Sequence, residues 1–169
     1  MMADTILKGK AFKFGDNIST DHIIQGRYAH MRSDLPELAK HVMEDADPTF
    51  VEKVKSGDFI VAGKNFGLGS SREHAALVIK MAGVSAILAK SVARIFFRNA
   101  INQGLPTLIC DTDKIDAGDK LEVNLTRGTI TDLTKDVQLS FGKIPKVMLD
   151  ILNEGGLIPY IAEHGDFEL

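Results

Sequence analysis

Three short apolar runs, each too short for a helix, constrain this chain more than any other feature. They are Phe59-Ile60-Val61-Ala62-Gly63, Val84 to Leu88, and Leu105 to Cys110. None alternates with polar residues, which is the pattern of strands covered on both faces. Between them lie two stretches of helical periodicity. The first carries Ala75, Ala76, Val78, Ile79 and Ala82; the second carries Val92, Ile95, Phe96, Asn99 and Ala100 and is closed by Gly104. Strands alternating with helices in this way build a parallel sheet with right-handed crossovers. Residues 5–14 alternate loosely between apolar and basic and predict a strand ahead of this unit. The segment from Gly15 to His22 is rich in turn formers and predicts a loop. Leu35 to Glu44 and Pro48 to Lys55 predict helices, the second with Asp47 as N-cap and Pro48 at the first helical position. Beyond residue 110 the pattern changes. Lys120–Asn124, Gly128–Leu133 and Val137–Phe141 are short and β-rich, with a turn at Thr126-Arg127-Gly128. A last helix runs from Pro145 to Asn153, with Val147, Met148, Ile151 and Leu152 on one face. The fold class is therefore α/β, a parallel βαβαβ core with an added antiparallel β-sheet, in a single domain over residues 1–169.

Composition excludes most other classes. The chain is 44% hydrophobic and 25% charged, enough to fill a core. A net charge of −3 argues against nucleic acid, whose binders carry basic stripes. No apolar run approaches the ~20 residues of a membrane span, and the Met-Met-Ala-Asp start does not read as a signal peptide. Cys110 is the one cysteine, so no intrachain disulfide can form and a reducing cytoplasm is the expected location. A single thiolate cannot build a zinc or iron–sulfur site. His22, His30, His41, His74 and His164 show no metal-ligand spacing either, so no metal site is expected in this chain.

The segment with chemical content is Gly63-Lys64-Asn65-Phe66-Gly67-Leu68-Gly69-Ser70-Ser71-Arg72-Glu73-His74, set between a predicted strand and a predicted helix. Its glycines allow a tight turn and close backbone approach to a ligand. Ser70 or Ser71 falls at the expected N-cap, where free N–H groups and the helix dipole favour an anion. Arg72 adds a fork for a carboxylate or phosphate. The same residues also fit a Gly-rich turn with an ordinary serine cap and a solvated arginine. The segment is not a P-loop, and Gly67-Leu68-Gly69 lacks the third glycine of a dinucleotide fingerprint, so nucleotide binding is the weaker alternative.

Gly63 to Ala76 resembles the active-site loop of the mobile swivel domain of the aconitase superfamily. Gly15-Asp16-Asn17-Ile18-Ser19-Thr20-Asp21-His22-Ile23-Ile24 resembles that domain's N-terminal motif, and Ser91-Val92-Ala93-Arg94-Ile95-Phe96 a third. Order and spacing agree over nearly the whole chain. Its length is similar to that of the free-standing small subunits of the isopropylmalate dehydratase and homoaconitase-like family. The resemblance implies a swivelling β/β/α domain and a heterodimer or heterotetramer with a cysteine-bearing large subunit that holds a [4Fe-4S] cluster. It implies a small di- or tricarboxylate substrate and a reversible dehydration and rehydration. Ser70 matches the family's base, Ser71 and Arg72 its carboxylate binders, and Asp21 an acidic residue that orders neighbouring groups.

The resemblance also places substrate choice in the segment holding Tyr28, Ala29, His30 and Met31. An apolar lining suits the isopropyl group of isopropylmalate, whereas a cation suits the extra carboxylate of homocitrate. Neutral His30 beside Ala29 and Met31 favours a branched alkyl group; homoaconitate and 2,3-dimethylmalate are the alternatives within the class. A non-catalytic anion- or nucleotide-binding module is the alternative outside it. Outside the motif, Asp21-His22 would be a capped turn, with His22 supporting the loop. Glu73 and His74 are expected to orient the loop, Arg94 and Arg98 to face solvent or a subunit, and Cys110 to be a packed thiol.

Overall fold

Strand β1 (Ile6–Lys13) is the seam of the fold, pairing in parallel on one edge and antiparallel on the other. The computed structural model describes residues 4–166. After β1 come α1 (Thr20–Ile23), a 3₁₀ helix (Gly26–Met31), α2 (Leu35–Ala39), α3 (Phe50–Lys53) and β2 (Phe59–Ala62). Then follow α4 (Glu73–Met81), β3 (Ala86–Ala89), α5 (Arg94–Asn102) and β4 (Thr107–Ile109). The second half holds β5 (Lys120–Asn124), β6 (Thr129–Asp132), β7 (Val137–Ser140), α6 (Lys146–Asn153) and α7 (Leu157–His164). Among the described residues the strands form one sheet in the order β4-β3-β2-β1-β5-β6-β7. The pairs from β4 to β1 are parallel and those from β1 to β7 antiparallel. The expected antiparallel strands are thus added to the parallel core through β1.

Every residue of β2 and β3 is buried, as a strand covered on both faces requires. Alternate side chains point to opposite faces. Ile60, Ala62, Ile87 and Ala89 pack against Ala75, Ala76, Val78 and Ile79 of α4 and Phe96 and Ala100 of α5. Phe59, Val61, Ala86 and Leu88 pack against Leu121, Val123, Ile130 and Leu139, so the antiparallel half curls over the parallel half. A third cluster ties Ile101 of α5 to Ile151 and Leu152 of α6 and Tyr160 of α7. Truncating a buried position such as Ile87 to Ala would cost about 2–5 kcal/mol. No helix among the described residues is long and apolar enough to cross a membrane.

Several boundaries differ from those the sequence predicts. The helix expected over Leu35–Glu44 stops at Ala39, because buried Met43 takes a left-handed backbone (φ 61°) and donates its N–H to the Ile23 carbonyl (2.9 Å). The helix expected to begin at Pro48 begins at Phe50. Asp47 is not its N-cap; it accepts hydrogen bonds from the Thr49 N–H and hydroxyl (2.9 and 2.8 Å), and Thr49 is the N-cap. Ile95, expected on the buried stripe of α5, is 53% exposed. Helix α7 follows the expected last helix. It starts after Gly155-Gly156 and tolerates Pro159 because the first-turn N–H groups have no intrahelical partner to lose.

Candidate active site

The three motifs leave the C-terminal ends of β1, β2 and β3 and join there by backbone hydrogen bonds, the edge at which parallel sheets place ligands. Asn17 N–H donates to the Lys64 carbonyl (2.8 Å), Gly67 N–H to Ile18 (2.7 Å) and Thr20 N–H to Leu68 (2.9 Å). Phe66 N–H donates to the Ser91 carbonyl (3.1 Å), and Ala93 N–H to Phe66 (2.9 Å). Side chains reinforce this seam. Asp16 Oδ1 accepts from Lys64 N–H (2.7 Å), Asn65 Nδ2 donates to Asn17 Oδ1 (2.9 Å), and Asn65 N–H donates to Ser91 Oγ (2.8 Å). Asn17 and Asn65 both hold φ of 58°, a left-handed backbone that asparagine tolerates better than most residues.

Two glycines in the loop are needed sterically. A Cβ on Gly63 would overlap the Asp16 carboxylate, and one on Gly67 (φ 77°) would overlap the buried Phe96 ring. The loop therefore lies flat against the first and third motifs and delivers Ser70, Ser71 and Arg72 to the start of α4. The N-cap of α4 is Arg72, with no side-chain cap, and not Ser70 or Ser71 as the sequence predicts. The chain is still turning at the serines, where Arg72 N–H donates to the Ser70 carbonyl (2.9 Å). Both serines are exposed, and neither hydroxyl has a hydrogen-bond partner among the described residues.

Arg72 is oriented from the N-terminal motif. Its Nη1 lies 2.6 Å from Asp21 Oδ1 and donates to the Ile24 carbonyl at 2.6 Å, leaving Nη2 and Nε for a ligand. The Arg72 side chain is 24% exposed and Asp21 69%. Asp21 therefore contacts the Arg72 guanidinium from the N-terminal motif. His22 closes a capping box on α1: Ser19 N–H donates to His22 Nδ1 (3.0 Å) and His22 N–H to Ser19 Oγ (3.3 Å). That bond fixes the turn carrying Asp21. Burial, then the charges of Arg72 and Arg32, push the His74 imidazole below its ordinary value, so it stays neutral beside Arg72.

Thr20, Gly67, Gly69, Ser70, Ser71, Arg72, Arg94, Phe96 and Asn99 line a cleft of about 340 Å³. No functional role is legible in the sequence for Thr20 or Asn99, and Arg94, expected to face solvent or a subunit, lines the cleft; its place in the third motif is the available signal. Tyr28, Ala29, His30 and Met31 are not brought into this cleft. Tyr28 stacks on His41 (centroids 4.0 Å apart) and donates its hydroxyl to Glu44 Oε2 (2.9 Å). Met31 packs on the main core, and Ala29 and His30 are exposed. Their 3₁₀ helix does begin beside the site, since Gly26 lies next to the Arg72 guanidinium. Cys110 is buried just after β4, which pushes its thiol up to about 12. No group of three or more His, Cys, Asp or Glu residues that could hold a metal ion occurs among the described residues.

This geometry has close counterparts. The aconitase C-terminal domain family matches residues 5–112, the span that carries all three motifs. The 3-isopropylmalate dehydratase small subunit 2 of Archaeoglobus fulgidus is 65% identical over 161 residues, covering 95% of this chain and 98% of that one. The isopropylmalate/citramalate isomerase small subunit of Methanocaldococcus jannaschii is 52% identical over 161 residues, 94% of this chain and 95% of that one. The crystal structure of the 3-isopropylmalate dehydratase from Methanocaldococcus jannaschii superposes with a TM-score of 0.91 at 46% identity, over 95% of this chain and 96% of that chain. The chain belongs to the aconitase C-terminal domain family, among the small subunits of 3-isopropylmalate dehydratase.

Proposed function

We propose that this chain supplies the base and the carboxylate-binding half of a two-subunit hydro-lyase. The enzyme interconverts 2-isopropylmalate and 3-isopropylmalate by dehydration and rehydration, in leucine biosynthesis. The carrying observation is the cleft in which two unengaged serine hydroxyls stand with two guanidiniums, Arg72 and Arg94. That set matches a dicarboxylate with a proton to be removed from the carbon beside a carboxylate. The relatives' names support the substrate class.

Each residue has a distinct part. Ser70 takes the carbon-bound proton on Oγ and returns it in the reverse direction. An ordinary serine hydroxyl is a very poor base, so the uncapped start of α4 and the adjacent guanidinium must stabilise the alkoxide. Ser71 and the free donors of Arg72 hold one carboxylate, while Asp21 fixes the guanidinium plane. Arg94 faces the second carboxylate. The [4Fe-4S] cluster that the family resemblance implies would be held by a cysteine-bearing large subunit and would supply the Lewis acid for the departing hydroxyl. The segment from Tyr28 to Met31, rooted beside Arg72, contributes to selectivity once that subunit closes over it.

The test is reconstitution with the large subunit and a panel of isopropylmalate, citramalate, homoaconitate and dimethylmalate. Ser70→Ala should lower turnover by about 10²–10⁴-fold with assembly intact, and Arg72→Lys should mainly raise KM. His30→Arg should shift the ranking toward the substrate with the extra carboxylate. Near-normal turnover in Ser70→Ala would remove the serine from the chemistry and this function with it.

A further inference from the structure

We propose that the groove between α5 and α6 is the surface on which the large subunit docks, and that it takes an apolar ridge flanked by carboxylates. This rests on the two-subunit function above. Val92, Phe97, Ile101, Ile109, Met148 and Ile151 line a recess of about 530 Å³, with Arg94 and Arg98 on its rim. Ile109 on edge strand β4 is 44% exposed. Arg94 and Arg98 are both exposed, and neither makes an ion pair among the described residues.

Three observations select the large subunit as the occupant. First, the groove runs into the catalytic cleft, because Arg94 lines both. A partner that brings its half of the active site over Ser70 must place its footprint beside that cleft, and this groove adjoins it. Second, the lining has the make-up of an interface core: aromatic, methionine and β-branched side chains with arginine at the rim. Third, the unpaired Arg98, which lines the groove and not the cleft, fixes the sign of the partner's rim, since a cationic partner would meet repulsion there. Among the other large exposed apolar side chains, Ile158 (81%) and Ile161 (39%) lie on α7. They line neither this groove nor the Ser70 cleft.

Two substitutions outside the catalytic cleft test this. Arg98→Glu reverses one rim charge, and Ile109→Asp places a carboxylate in the apolar floor; Ile158→Asp on α7 is the comparison. Each variant is titrated against the purified large subunit by sedimentation or surface binding, with circular dichroism to verify folding. Arg98→Glu and Ile109→Asp should each weaken association by about tenfold or more. Arg98→Glu should also flatten the salt dependence of the on-rate, and Ile158→Asp should bind as the unmodified chain does. If the unmodified pair assembles and is active while both groove variants bind normally, the surface is wrong and the function stands. If the unmodified chain does not associate with the large subunit at all, the two-subunit function falls and this surface with it. A chain that self-associates through Ile109 but binds the large subunit normally in Ile109→Asp assigns the groove to a second copy and overturns the proposal. Should Ile109→Asp fail to fold, Arg98→Glu decides alone.

Discussion

Gly67→Ala is the sharpest test of how the motifs are assembled. Gly67 holds φ of 77°, and its N–H donates to the Ile18 carbonyl at 2.7 Å. An alanine there must keep a left-handed backbone, which costs about 1–2 kcal/mol. Its Cβ would also overlap the Phe96 ring and stand 2.8 Å from Cδ2. That ring is 2% exposed and sits edge-on to Phe66, with centroids 5.3 Å apart, so it has little room to retreat. Overpacking of this kind costs about 1–3 kcal/mol. Together the two effects should destabilise the chain by about 2–5 kcal/mol, or roughly 4–20 °C in Tm for a protein of this size. Urea and thermal unfolding followed by circular dichroism give the number. Phe96→Ala provides the second edge of a double-mutant cycle. It removes Cγ and Cδ2, two of the three atoms that the new Cβ would overlap, but not the backbone strain, so Gly67→Ala should cost about 1 kcal/mol less in that background. Turnover of the reconstituted Gly67→Ala enzyme should fall as well, because a displacement of about 1 Å at Ser70 can cost roughly 100-fold. A change in stability under about 0.5 kcal/mol, or strict additivity with Phe96→Ala, would refute the reasoning.

Two further predictions concern groups away from the cleft. Gln25 is 4% exposed, and neither polar atom of its amide has a hydrogen-bond partner among the described residues. Gln25→Met removes that unpaired amide at similar volume and should raise stability by about 1–3 kcal/mol in thermal unfolding; a lower Tm would mean that the amide is bonded in solution. Burial, then the charge of Asp111, pushes the Cys110 thiol up to about 12, so at pH 8 only about one molecule in 10⁴ carries the thiolate. Iodoacetamide should therefore label the unfolded chain far faster than the native one, as read by mass spectrometry, and rapid stoichiometric labelling of the native chain would contradict the buried placement.

The parallel half of the fold was legible because burial on both faces writes itself as unbroken apolar runs, and β2 and β3 fall within two residues of the predicted strands. What could not be read were features decided by contacts distant in sequence. The left-handed turn at Met43 that ends α2 answers to the Ile23 carbonyl, twenty residues away. The curl of the sheet comes from Leu121, Val123 and Ile130 meeting Val61 and Leu88, a pairing that no local periodicity encodes. In the site, the residue types point to an anion, and the serines fall at the expected N-cap because Ser before a helical stripe is a common N-cap pattern. The loop's hydrogen bonds to Ile18 and Ser91 hold it extended past Gly69 and delay the helix to Glu73. Family resemblance supplied what local chemistry could not, namely which hydroxyl to assign as the base.

The Asp21–Arg72 pair gives a physical reason for dividing the site between two subunits. In the isolated chain Asp21 is 69% exposed, and an ion pair open to water in this way is worth at most about 1 kcal/mol. What holds Arg72 is chiefly its bond to the Ile24 carbonyl and its own partial burial. Covering the cleft removes water, and the same 2.6 Å contact then strengthens severalfold as the effective dielectric falls. The guanidinium plane, the electrostatic hold on a Ser70 alkoxide and the field of the α4 N-terminus all gain from that one change. On the proposed function, an open cleft would bind a dicarboxylate weakly and leave Ser70 a hydroxyl, whereas a covered one would favour its alkoxide. Proton abstraction would thereby be tied to assembly, with the reactive form of the serine present only where the partner's half of the chemistry is already in place.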